Sequence, residues 1–117
     1  MAITQAMCSS FKTELLTGTH NFTNSSGNTF KLALYTSSAT INAATTAYTS
    51  SNEVSSTNYT AKGGALTNVT PSNGSGTVAF TSFSTLTFTN VTLTARGALI
   101  HNSSQSDKAV CALDFGG

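Results

Sequence analysis

Eight side chains in this sequence could carry acid–base, nucleophilic or metal chemistry: Glu14, Glu53, Asp107 and Asp114, His20 and His101, Cys8 and Cys111. General acid–base catalysis needs titratable groups that share one site, and no two of the four carboxylates lie at a spacing that by itself pairs them. Serine is abundant, yet no Gly-X-Ser-X-Gly elbow is present to expose a nucleophile. The histidines and cysteines lack the short paired-ligand spacing of a zinc site. Neither Gly63-Gly64 nor Gly116-Gly117 is followed by Lys-Ser/Thr and a helix, so neither forms a phosphate loop. No catalytic centre, metal or cofactor is expected, and the chain is not expected to be an enzyme.

Arg96 lies between two apolar runs, residues 91–95 and 98–100, where an unpaired charge is costly. A structural ion pair is therefore expected, with Asp114 or Glu53 as the partner and Arg96–Asp114 as the favoured pair. Lys12, Lys31, Lys62, Arg96 and Lys108 are scattered and nearly balanced by acids, giving a net charge of +1. They encode no basic groove, so nucleic acid is not an expected partner. No apolar run approaches the ~20 residues of a membrane span. Residues 1–10 lack the basic start and apolar stretch of a secretory signal, so export by that route is not expected. The seven Asn-X-Ser/Thr triplets that begin at Asn21, Asn24, Asn58, Asn68, Asn73, Asn90 and Asn102 then reflect composition rather than glycosylation. Cys8 and Cys111 are expected as buried thiols.

That composition is unusual. Ser and Thr supply 39 of 117 residues while charged residues supply 8%, against about 25% in ordinary soluble domains. A surface wetted by neutral hydroxyls is cheap to desolvate and is little protected by charge repulsion, so it can crowd against its neighbours. The chain has the character of a building block. Its length suits a single domain, and ten Phe and Tyr residues supply the apolar groups that disordered chains lack.

The elements that must position these residues fall into two kinds. Residues 4–16 place Met7, Phe11 and Leu15 at every fourth position, with Cys8 and Leu16 alongside and Gly18 as a stop, which predicts one amphipathic helix. Residues 29–35 alternate Phe30, Leu32 and Leu34 with Lys31, Ala33 and Tyr35, as a half-buried strand does. Residues 36–64 form a long polar excursion with Ile41, Tyr48, Val54 and Tyr59 as isolated apolar pegs, a candidate contact surface because loops of that length without a role are uncommon. A strand at 65–70 and a turn at 71–76, centred on Asn73-Gly74, predict a hairpin. Further strands are expected at 77–80, 86–88, 91–95, 98–101 and 109–115. The pattern specifies an all-β chain: a helix and arm over residues 1–20, then one β-sandwich or jelly-roll-like domain over residues 21–117.

Lys31-Leu-Ala-Leu-Tyr35, Thr46-Ala-Tyr-Thr49, Asn52-Glu-Val54, Tyr59-Thr-Ala61, Gly63-Gly64, Thr94-Ala-Arg-Gly-Ala-Leu-Ile100 and residues 110–117 follow one another in an order that resembles a family of small structural proteins of tailed bacteriophages. The segment Phe11-Lys-Thr-Glu-Leu-Leu16, with Gly18 and His20, is similar to that family's opening. The resemblance implies a virion component: a capsid decoration, or cement, protein on the outer shell, made in the host bacterial cytoplasm. It would bind the major capsid protein and copies of itself as a trimer; exposure and position make Met7, Phe11, Leu15, Ile41, Tyr48, Val54 and Tyr59 the candidate interface residues, the alternative being that all seven pack the domain's own core. A tail, neck or short-fibre component is the alternative within the particle. A carbohydrate-binding module, stacking sugars on Tyr35, Tyr48 and Tyr59, is the alternative of another class. Members of the family commonly continue past Asp-Phe-Gly with one more apolar strand; if that strand is absent, an exposed sheet edge remains, and either the fold closes differently or a neighbour completes it.

Overall fold

The computed structural model describes residues 3–116; Met1 and Ala2 of the expected arm and Gly117 of the last glycine pair lie outside the described residues. In chain order the elements are β1 (Ala6–Met7), α1 (Ser9–Leu16), β2 (Phe30–Tyr35), β3 (Gly64–Ala65), β4 (Asn68–Ser75), β5 (Val78–Phe83), β6 (Gly97–Asn102), a 3-10 turn (Ser103–Gln105) and β7 (Lys108–Asp114). The domain is all-β with one short N-terminal helix. Five strands form an antiparallel sheet in the order β1-β7-β6-β2-β3, and β4 and β5 form a separate two-stranded ribbon.

The helix begins later than its periodicity predicts. Residues 3–8 run extended because they serve neighbouring backbones: Thr4 N–H donates to Ile41 O at 3.0 Å, Cys8 N–H to Val110 O at 2.9 Å, and Ala6 and Met7 pair with Ala112 and Cys111. The edge of β7 that the sequence leaves open is thereby filled by the chain's own N-terminal segment. Its upper part is covered again where Ala109 N–H donates to Thr46 O at 3.0 Å. The helix stops where expected, with Gly18 and Thr19 N–H donating back to Leu15 O and Glu14 O.

The central sheet is buried on both faces. In the β2–β6 register Lys31, Ala33 and Tyr35 lie opposite His101, Leu99 and Gly97 on one face, while Phe30, Leu32 and Leu34 lie opposite Asn102, Ile100 and Ala98 on the other. The second face carries Phe11, Phe22 and Phe83, whose rings meet Phe30 or one another, and further along Phe88 and Leu93 beside Leu34. The first face was expected to be half exposed, yet Ala33 and Tyr35 are fully buried. The polar excursion returns over it and lays Ile41 and Tyr48 against the sheet.

Two segments depart from their predicted form for a local reason. The turn of the ribbon is not Asn73-Gly74: Ser75 pairs with Val78, so the two-residue loop is Gly76-Thr77, with Gly76 at φ +58°. Pro71 and Asn73-Gly74 are absorbed in register shifts of β4, and Asn73 Nδ2 donates to Gly76 O at 3.0 Å to hold the turn. Residues 84–96 alternate like strands but form none. Two of their carbonyls are taken by side chains of the excursion, Asn90 O by Asn58 Nδ2 at 3.0 Å and Thr92 O by Ser56 Oγ at 3.2 Å, while Leu86, Phe88 and Leu93 are half buried.

The excursion itself is organised by one carboxylate. Glu53 accepts hydrogen bonds from the Tyr48 hydroxyl, from the Tyr59 hydroxyl at 2.6 Å and from Lys62 N–H at 2.9 Å. The same Tyr59 oxygen accepts from Leu34 N–H at 2.9 Å, and Val54 N–H donates to Leu34 O at 3.0 Å, so the loop completes the edge of β2 that β3 leaves uncovered. Gly63 closes the excursion at φ +82°, where any Cβ would overlap the carbonyl of Leu32. Burial first, and donation to Glu53 second, push the Tyr48 phenol up to about 12 and the Tyr59 phenol higher still; Tyr35 is raised mainly by burial.

A folded phenol that holds its proton more tightly than the unfolded one stabilises the fold fully below about pH 10. That contribution falls as pH rises towards 12. Phenolate absorbance should therefore stay absent at pH 10 and appear together with unfolding; tyrosines that ionise near 10 in an intact fold would contradict this. Glu53→Ala, which strands two phenols and a backbone N–H, should lower the unfolding free energy by about 3 kcal/mol in denaturant titrations.

Candidate functional site

The seven apolar residues expected at an interface separate into three groups. Phe11, Ile41 and Val54 are buried in the chain's own core, which corrects their assignment as contact residues. Phe11 is the one buried residue of α1, tilted against His20 at 4.8 Å, and Ile41 is held by its bridge to Ile3. Tyr48 and Tyr59 are half buried with their hydroxyls committed to Glu53, so they serve the excursion's internal structure. Met7 and Leu15 remain 50% and 46% exposed.

These two residues line an open groove of about 620 Å³ between the helix and the ribbon. One wall carries Met7, Phe11, Leu15 and Phe22, and the other carries Pro71, Ala79 and Phe80, the last 53% exposed. None of the lining residues is charged. Each wall has a clear origin: the fourfold spacing within α1 sets Leu15 beside Phe11, Met7 reaches the same surface from β1, where it pairs with Cys111, and the ribbon is fixed at its base by Phe83 against Phe22 and Phe30, at 6.1 and 5.8 Å. Sequence reasoning did not find the ribbon's part in this surface. The available signal was the absence of any charged residue between Lys62 and Arg96, a stretch that includes both strands.

The titratable residues are occupied elsewhere. Glu14 Oε1 meets His20 Nε2 at 2.8 Å, and His20 Nδ1 accepts from Asn102 Nδ2 at 2.9 Å, so that buried ring is held with its proton on Nε2. His101 lies between Asp107 Oδ1 at 3.2 Å and Lys62 O at 3.1 Å, with the Tyr48 ring 5.0 Å away. Asp107 also takes Lys62 Nζ at 2.6 Å. Burial alone would raise its carboxyl, but Lys62 and His101 outweigh that and hold it below its ordinary value. Arg96 Nε donates to Asp114 Oδ1 at 2.9 Å, and that hydrogen bond, with one from Gly116 N–H, holds the Asp114 carboxyl low. The pair sits near the surface, where such contacts contribute little energy; it joins the last residue of β7 to the residue before β6.

Cys8 and Cys111 are both free thiols. Burial pushes Cys111 up to about 11, with Cys8 nearby adding to the shift, so it stays protonated at neutral pH and is a poor nucleophile. Tyr35 is wholly buried with its hydroxyl on Thr49 O at 2.6 Å, so it offers no face to a sugar. Tyr48 and Tyr59 are half buried, with their hydroxyls on Glu53. Among the described residues no group of His, Cys, Asp or Glu is arranged to hold a metal, and no helix is long and apolar enough to cross a membrane. The arrangement is suited to adhesion by apolar contact. Compared with known proteins, the chain matches no family model, no curated protein and no solved structure.

Proposed function

We propose that this chain is a structural component of a tailed-bacteriophage particle, a capsid decoration or cement protein that lies on the outer shell and ties neighbouring major capsid subunits together. The observation that carries this reading is the open apolar groove between α1 and the ribbon, set in a surface almost free of charge. An apolar groove with no charged lining residue offers another protein a surface that costs little to desolvate. The occupant that fits is an apolar, weakly charged segment of a capsid subunit, since no lining residue offers an ion pair. Binding of this sort is weak per contact, and a lattice that presents many equivalent sites converts weak contacts into avidity. The chemistry is adhesive, with no step that breaks a covalent bond.

Two measurements test the proposal. Quantitative mass spectrometry of purified particles should find this chain at a copy number approaching that of the major capsid protein; a few to a few dozen copies would place it in the tail or neck, and none would remove the virion role. Leu15→Asp should abolish binding to shells while leaving the melting temperature within a few degrees of the parent. Phe11→Ala should instead destabilise the fold by about 3 kcal/mol because it opens a cavity under the helix. Full shell binding by Leu15→Asp would exclude the groove as the attachment face.

A further inference from the structure

The ribbon stands away from the body of the domain and is paired on one side only. Residues 78–82 of β5 are exposed in unbroken succession, with Val78 at 58%. Among the described residues, the backbone of β5 makes no hydrogen bond outside the ribbon. The outer edge of β4 differs: at its base the turn over residues 23–28 closes on it, with Asn24 Nδ2 donating to Asn68 O at 2.6 Å and Asn24 N–H to Thr70 Oγ1 at 3.0 Å. The outer strands of the main sheet, β1 and β3, are two residues each. Among the described residues, β5 is thus a six-residue strand whose outer backbone groups take no partner from the rest of the chain along its whole length.

Natural edge strands are usually blunted by a charge, a proline or a covering segment. β5 has none of these: it reads Val-Ala-Phe-Thr-Ser-Phe, with no charge, Pro or Gly. An isolated two-stranded ribbon is marginal in water, whereas four strands sustain a sheet. We propose that β5 is the interface through which two copies of this chain pair, edge to edge and antiparallel about a two-fold axis, to make one four-stranded sheet from two ribbons.

The composition of the strand selects a second copy as the occupant. Six-residue segments of high β propensity, with no charge and no Pro or Gly, are those that pair with their own sequence. Across a two-fold axis with Phe80 at its centre, Val78 of one strand faces Ser82 of the other and Ala79 faces Thr81, so this uncharged strand sets no like charges opposite one another. It meets its copy with no such repulsion, and it offers nothing to a partner selected by charge. The interface is self-complementary and closes at two copies, in place of the trimer that the family resemblance implies. It extends the shell-protein reading without depending on it, because Val78 and Ser82 lie outside the groove lining.

Sedimentation equilibrium of the full chain, in a concentration series reaching about 1 mM, tests this directly. The parent should convert from one to two chain masses as concentration rises. The double variant Val78→Lys/Ser82→Lys should remain at one chain mass with an unchanged circular dichroism spectrum. A parent that stays monomeric throughout, a dimer that persists in the variant, or a three-copy species overturns the proposal. Should the variant fail to fold, hydrogen exchange of the parent decides: amides of residues 78–82 gain protection with concentration if β5 pairs, and show none if it does not. Shell binding by Leu15→Asp is read separately, so the failure of either idea leaves the other standing or falling on its own result.

Discussion

The three donors gathered by the Glu53 carboxylate are the interaction on which the rest of the structure depends. Without them, residues 36–63 are a polar loop held only by a few buried apolar residues such as Ala39, Ile41 and Val54 and by scattered backbone bonds. With them, Tyr48 is fixed beside His101, Tyr59 caps the N–H of Leu34, and Lys62 is turned so that its carbonyl reaches His101 and its ammonium reaches Asp107. The excursion then becomes a layer of the fold. One face of the central sheet is covered by a segment with almost no regular secondary structure, and Tyr35 and Ala33 are buried by it. A charged acceptor can organise a loop in this way because its hydrogen bonds are about twice as strong as neutral ones, and because leaving the phenols unpaired beneath the loop would be costly.

The alternation of β2, the strands β6 and β7 and the stop at Gly18 are legible in the sequence because each follows from a local period or a local breaker. The pairing of Arg96 was also open to reasoning from the cost of a lone charge between apolar runs. What was not legible depends on tertiary contacts. Residues 3–8 have a helical spacing of apolar groups, but the edge of β7 offered backbone partners that a helix could not use. Residues 86–95 alternate as a strand does, and their carbonyls found Ser56 and Asn58 instead of a neighbouring strand. Asn73-Gly74 has the strongest turn chemistry in the chain, yet the turn moved to Gly76, where the register of β4 and β5 required it.

The candidate site was legible in part for a related reason. Helical spacing predicts Met7, Phe11 and Leu15 on one stripe; the structure keeps Phe11 and Leu15 on α1 and brings Met7 to the same groove from β1, and which of them faces solvent depends on what else reaches the helix. Phe11 is buried because Phe22 and His20 close over it. Ile41, Val54, Tyr48 and Tyr59 look like exposed pegs in a polar segment only while that segment is imagined as a free loop. Once the segment covers a sheet, its apolar residues are the ones that face inward, which is the ordinary fate of apolar groups.

The placement of charge explains why a chain so poor in ionic groups can still present a neutral surface. All four carboxylates are engaged internally: Glu14 with His20 and, at 3.9 Å, Lys108; Glu53 with the tyrosines; Asp107 with Lys62 and His101; Asp114 with Arg96. The four carboxylates thus link separate parts of the chain, the helix to His20 and Lys108, the excursion's own residues to one another and to His101, and the end of β7 to the residue before β6. They do not decorate the groove or the ribbon. Hydroxyls do the solvating there, and hydroxyls can be desolvated against another protein at far lower cost than ions. A domain built this way separates two tasks that most proteins mix on one surface, since its ionic contacts hold the chain together while its uncharged faces are left free to adhere.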